Sequence, residues 1–168
     1  MDVWIGSGYS QSANRILVLG ESWYGDVEPL AVYVPRWVRG EVIDNTFARI
    51  FNAASGCHTE SASQEQRTAW WNSIAFYNFV PGSVGASRSD RPSPAAYIAA
   101  AGPLAVVLDQ LRPRGVWILG KGQAEYSVGV VERSGIACEV STHPTGYGVR
   151  SEELKGSWAK LSQRVKAI

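Results

Sequence analysis

The residues able to do chemistry stand directly behind apolar runs. After Ile16 to Leu19 the chain changes at once to G-E-S-W-Y-G, Gly20 to Gly25, which brings a carboxylate, a hydroxyl and two large aromatic rings together. Near the end of a second run, I-A-F-Y-N-F-V from Ile74 to Val80, the one polar residue is Asn78. Its amide carries a donor and an acceptor side by side, a pair that matches O4 and N3–H on a uracil edge or, flipped, another base. A buried amide must be paired, so two readings stand: a structural hydrogen bond to a neighbouring loop, or a ligand. His143, one of two histidines, lies in S-T-H-P-T-G-Y-G, Ser141 to Gly148, behind a later run. Pro144 and Gly146 shape a tight turn whose side chains and amides can face a ligand, phosphates included.

Other chemistries fit less well. Ser22 with His143 as base and Glu21 or Asp26 behind it would make a hydrolase, but G-E-S-W-Y lacks the second glycine of a nucleophile elbow. G-V-W-I-L-G-K-G, Gly115 to Gly122, has the outline of a phosphate-binding P-loop. Its intervening residues are strand-like, and Gly122 stands where a magnesium-holding hydroxyl is needed. Cys57 and Cys138 are far apart and lack C-x-x-C spacing, so two buried thiols are expected, with no disulfide framework, metal site or cofactor.

These residues need a scaffold. The 168 residues suit one domain, 1–168, able to bury roughly 70% of its unfolded surface. A net charge of +1 means that any polyanion contact comes from a local patch. Seven Trp and seven Tyr are many for this length, and they divide between core packing and stacking on a planar ligand. The amino terminus has no basic region followed by an apolar core, and no apolar stretch approaches the ~20 residues of a membrane span. The expectation is a soluble, cytosolic monomer.

Four strands are expected: Ile16 to Leu19, Ile74 to Val80, Gly115 to Leu119 and Ile136 to Val140. Met1 to Gly8 reads as a turn of helix. Asp26 to Gly40, with Pro29 and Pro35, reads as a long structured loop. Helices are expected over Ile43 to Ala54 with Gly56 as C-cap, and from a capping box at Ser63 to Gln66 through Trp70. Another starts at Ser93-Pro94, breaks at Gly102-Pro103 and resumes to Leu111. The last two cover Gln123 to Glu132 and Ser151 to Lys166. Alternating strands and helices predict an α/β fold, a three-layer αβα sandwich with a central parallel sheet of about four strands. In such sheets a ligand site forms at the carboxyl edge, where all of these polar motifs fall.

Taken in order, the motifs resemble the uracil-DNA glycosylase superfamily over about residues 15 to 165. The family's first motif, commonly G-Q-D-P-Y-H or, in an iron–sulfur branch, G-E-A-P-G, corresponds to G-E-S-W-Y-G. Its base-reading asparagine closes a strand in patterns like V-H-N-L-C-P, here A-F-Y-N-F-V-P, Ala75 to Pro81. Its H-P-S-P-L motif corresponds to H-P-T-G-Y, His143 to Tyr147. The resemblance implies a hydrolase that flips a nucleotide out of single- or double-stranded DNA and cleaves its N-glycosidic bond. By the same resemblance Glu21 orients water and His143 stabilises the departing base. Asn78, Tyr33, Ser22 and Tyr24 bind that base, with Tyr33 stacking. Thr145, Ser141 and Tyr147 engage the strand, Tyr147 as a wedge, and Arg88, Arg91 and Lys121 supply a basic patch. Three departures are plain: Ser22 replaces the commonest branch's aspartate, Trp23 its proline, and two cysteines cannot hold a four-cysteine cluster. A catalytically silent module binding nucleic acid or a nucleotide on the same fold is the alternative.

Overall fold

The computed structural model describes residues 2–87, 90–148 and 150–167. Among the described residues, six helices cover a five-stranded, mostly parallel sheet of order β1-β3-β2-β4-β5. The strands are β1 (Val3–Ile5), β2 (Ile16–Gly20), β3 (Ala75–Asn78), β4 (Gly115–Leu119) and β5 (Ala137–Ser141). β2 and β4 are enclosed along their whole length, which is why they read as unbroken apolar runs. Alternation along β2 divides the core in two. Ile16 and Val18 pack with α1 (Leu30–Val38), α2 (Asn45–Ser55), α3 (Gln64–Asn72) and α6 (Ser151–Lys166). Leu17 and Leu19 pack on the other side with α4 (Pro94–Leu111) and α5 (Lys121–Arg133).

The chain thus leaves β2 toward one face and β4 toward the other. Where neighbouring strands send their connections to opposite faces, a crevice opens beyond their carboxyl ends. Parallel register keeps those ends level, Gly20 beside Asn78 and Leu119 beside Ser141.

Several expectations are corrected. The sheet has five strands, not about four, and is not wholly parallel: Val3–Ile5, expected as a turn of helix, pairs antiparallel with β3 at the edge. The expected loop over Asp26 to Gly40 contains α1, whose Leu30, Val34, Trp37 and Val38 form a buried stripe. Pro29 sits at its N-cap, and Pro35 lies inside the helix, where it forgoes the bond to the carbonyl of Ala31. Ala31 is exposed, so water can take that carbonyl and the helix continues. α4 runs unbroken through Gly102-Pro103. Ala99 and Pro103 both lie on its exposed side, where water can satisfy the carbonyl that the proline leaves unpaired. By length and composition α4 could cross a membrane, which is weak evidence beside the packing of Tyr97, Leu104, Val107 and Leu108 in the core. Cys57 and Cys138 are free thiols, half-buried and not fully enclosed. The capping box of Ser63 and Gln66 and the left-handed Gly56 behind α2 are where the sequence puts them.

Candidate functional site

A cavity of about 210 Å³ opens at the carboxyl ends of β2, β3 and β4, and Glu21, Asn78 and His143 all line it. Its shape begins with the pairing of Gly20 and Asn78. A Cβ on Gly20 would stand 2.3 Å from Asn78 Oδ1 and 2.9 Å from the Phe76 ring. The glycine leaves room for the amide to lie across the neighbouring strand. Asn78 is 7% exposed, and no hydrogen bond joins its side-chain amide to another described residue. Among the described residues no neighbouring loop supplies the structural partner that a buried amide calls for.

Aromatic rings make the adjoining wall. Trp23 meets Tyr33 edge-on at 5.0 Å, and Tyr33 meets Phe47 at 5.4 Å and 90°. Asp44 anchors two of the three: Oδ2 accepts from the Tyr33 hydroxyl at 2.8 Å, while Oδ1 accepts from Phe47 N at 2.9 Å and caps α2. Burial first, then the charge and hydrogen bond of Asp44, push the Tyr33 hydroxyl well above the usual tyrosine range. The segment after β2 is fastened to the loop after β3. Trp23 N donates to Gly82 O, Val84 N to Trp23 O, and Gly25 N to Gly85 O at 2.8 Å.

His143 enters from the turn after β5. Thr145 N donates to Nδ1 at 3.3 Å, and the Thr145 hydroxyl lies 3.2 Å from the same nitrogen. An Nδ1 that accepts a backbone N–H leaves the ring proton of the neutral imidazole on Nε2, so that edge is a donor. Gly146 N donates to His143 O at 2.8 Å, and Arg49 Nη1 donates to Pro144 O at 2.7 Å, tying the turn to α2.

No family model matches the chain, and no curated protein proves similar to it. Assignment therefore rests on geometry.

Glu21 departs most from its expected role. It follows Leu17 and Leu19 in alternation and so turns toward α4 and α5. There Tyr97 Oη donates to Oε1 at 2.7 Å, Arg91 Nη1 to Oε2 at 3.1 Å, and Tyr24 Oη reaches Oε2 at 3.5 Å. Cβ atoms on Gly120 and Gly122 would stand 3.9 and 3.8 Å from Oε1, so the carboxylate rests on the first turn of α5, where the helix dipole favours negative charge. Both oxygens of this 6%-exposed group are engaged, a poor state for orienting water. Burial, followed by hydrogen bonding and charge from Glu21, raises the Tyr97 hydroxyl above its ordinary range. Against burial, Tyr24 and Glu21 raise the Arg91 guanidinium.

The other expected residues divide. Ser22 lines the cavity, but its Oγ is buried without a hydrogen-bond partner among the described residues, so no base stands within reach of it. Tyr24 and Thr145 line the cavity too. Tyr147 is fully exposed at the tip of the His143 turn. Ser141 is corrected: at the end of half-buried β5 it is itself fully buried, with no exposed surface to touch a strand of DNA. Lys121 points to solvent 3.7 Å from Glu153, away from the cavity lining. Arg91 is bound to Glu21 and is not a free surface cation. Arg88 lies outside the described residues. Among the described residues no group of three or more His, Cys, Asp and Glu could hold a metal.

Sequence reasoning missed Arg49 and Tyr97, whose partners lie 95 and 76 residues along the chain, and Asp44 and Phe76, which line the cavity. Asp26, considered there only behind Ser22, lines the cavity with no hydrogen bond or ion pair to another described residue.

Proposed function

We propose that the protein hydrolyses the N-glycosidic bond of uracil or a related damaged base flipped out of DNA. The observation that carries this reading is the Asn78 amide, nearly buried and without a hydrogen bond to another described residue, in one cavity with His143. Drug-sized ligand sites run to about 300–1,000 Å³; a cavity of about 210 Å³ suits a single flat heterocycle. Helices on both faces of the sheet are read, with this proposal, as the three-layer αβα sandwich of the glycosylase superfamily. A cytosolic monomer acting on single- or double-stranded DNA belongs to the same reading.

Asn78 pairs with the polar edge of the base, and the ring packs against the wall of Tyr33 and Trp23. As the bond from the anomeric carbon to the base nitrogen breaks, its electron pair leaves with the base, and His143 Nε2–H donates to the oxygen where charge gathers. Positive charge grows on the sugar, which the carboxylates of Asp26 and Asp44 favour. Water adds to the anomeric carbon, and its proton passes to Asp26. Glu21 holds the segment from Gly20 to Tyr24 and is a positioning residue.

The test is incubation with uracil-containing single- and double-stranded oligonucleotides, scored for alkali-sensitive abasic sites. The parent is expected to make them, with His143→Ala and Asn78→Asp slower by about 10²–10³-fold. Equal cleavage by those variants contradicts the site. Ser22 in the place of the usual aspartate, together with the engaged Glu21, favours a second reading, a silent binding module; binding without abasic product selects it.

A further inference from the structure

A second cavity of about 210 Å³ lies between α2 and α6. Its polar lining comes from Arg49, Asn52, His58, Ser151 and Lys155, and no carboxylate lines it. Glu60, outside the lining, lies 3.8 Å from His58 Nδ1. Asn52 Oδ1 is taken by the Thr59 amide at 2.7 Å, which leaves its NH₂ group as the part able to meet a ligand. The lining is thus a set of donors, two of them permanent cations.

The first cavity has the opposite character, with Glu21, Asp26 and Asp44 in its lining. Carboxylates repel a phosphate. A nucleic-acid strand that delivers one base there must rest its phosphates on another surface. Arg49 joins the two places. It lines the second cavity, and its Nη1 holds Pro144 O at 2.7 Å. Pro144 stands between His143 and Thr145, both in the lining of the first cavity. A guanidinium has five N–H donors, and the bond to Pro144 uses one of them.

We propose that the groove between α2 and α6 holds a phosphodiester of the strand flanking the flipped nucleotide, through Arg49 and Lys155. Arg49 then bridges that phosphate and the turn carrying His143, so docking of the strand steadies the histidine. The inference rests on the nucleic-acid reading above and adds where the backbone lies.

Binding of a uracil-containing single-stranded oligonucleotide is measured over a range of salt for the parent, Lys155→Ala and Arg49→Ala. Each lost phosphate contact should lower the magnitude of the slope of log affinity against log salt by about 0.7. Lys155 is exposed, so its removal is expected to leave the fold intact and to raise KM with kcat unchanged. Arg49→Ala should also lower kcat, because Pro144 loses its tether. A parent that binds the strand while both variants keep its slope overturns the assignment. So does a groove that answers only to free anion, seen as inorganic phosphate raising the melting midpoint of the parent but not of the variants, with slopes unchanged. A parent that binds neither strand form at low salt defeats the nucleic-acid reading itself, a distinct result, and this inference with it.

Discussion

The two cavities are matched in size and opposed in make-up. The first is built from the ends of buried strands and carries carboxylates, aromatic rings and the amide of Asn78. The second is built from the sides of two helices and carries donors and cations. The strand ends are fixed by the sheet ladder, with Gly20 against Asn78, and so can hold an amide to a fraction of an ångström. The helix sides offer long, mobile side chains, suited to a charge whose position need not be exact. In the proposed reading the first cavity reads a base and the second grips a phosphate, and the bond from Arg49 to Pro144 O joins the two places.

Substitutions at the strand ends should break the comparison most sharply. Gly20→Ala drives a Cβ into the space of the Asn78 amide and is expected to cost about 10²-fold in base release, the scale of a misplacement near 1 Å. The salt slope of binding should stay unchanged, which separates reading from gripping; a parallel fall in slope would merge the two cavities into one site. Asp26→Asn should slow turnover by about 10²-fold, the low end for a proton acceptor, with binding retained. Parent-like turnover would return the water to another group.

Glu21→Gln removes the charge facing Arg91 and weakens the bond from Tyr97. It should lower unfolding stability by about 1–3 kcal/mol while slowing turnover less than Asp26→Asn does. Chemical denaturation beside single-turnover cleavage would check this, and the reverse order would restore Glu21 as the catalytic carboxylate. Alkaline pH should weaken the fold. Tyr9, Tyr33 and Tyr97 are all raised above the ordinary 10.0, Tyr9 to about 12. Above pH 10.0 the unfolded chain loses phenolic protons that the folded chain keeps, so stability is full below that value and falls as pH rises toward 12 and beyond. Tyr97→Phe should flatten that fall in a series of denaturation midpoints. Lys121→Ala should do least, within about 1 kcal/mol of stability and with parent activity, since Lys121 lines neither cavity.

Local signals were legible in the sequence. The apolar run of β4 and the capping box of α3 depend on neighbouring residues alone, and both lie where their patterns put them. α1 was hidden by Pro29 and Pro35, although its buried stripe of Leu30, Val34, Trp37 and Val38 is helical in spacing. β1 is a three-residue edge strand that owes its form to pairing with β3 across some seventy residues of chain. The site shows the same division. Asn78 and His143 could be picked out because each is a polar residue behind an apolar run. The engagement of Glu21 by Tyr97 and the hold of Arg49 on Pro144 join residues 76 and 95 apart, and no spacing in the chain announces them.

The central claim is that the Asn78 amide meets the edge of a base. Its side-chain ¹⁵N–H signals, assigned by comparison with Asn78→Asp, report on that contact directly during titration with a uracil-containing oligonucleotide. The account predicts that they move on binding and that the same oligonucleotide with thymine in place of uracil moves them less. Signals that stay in place while the uracil strand is bound or cleaved would contradict it.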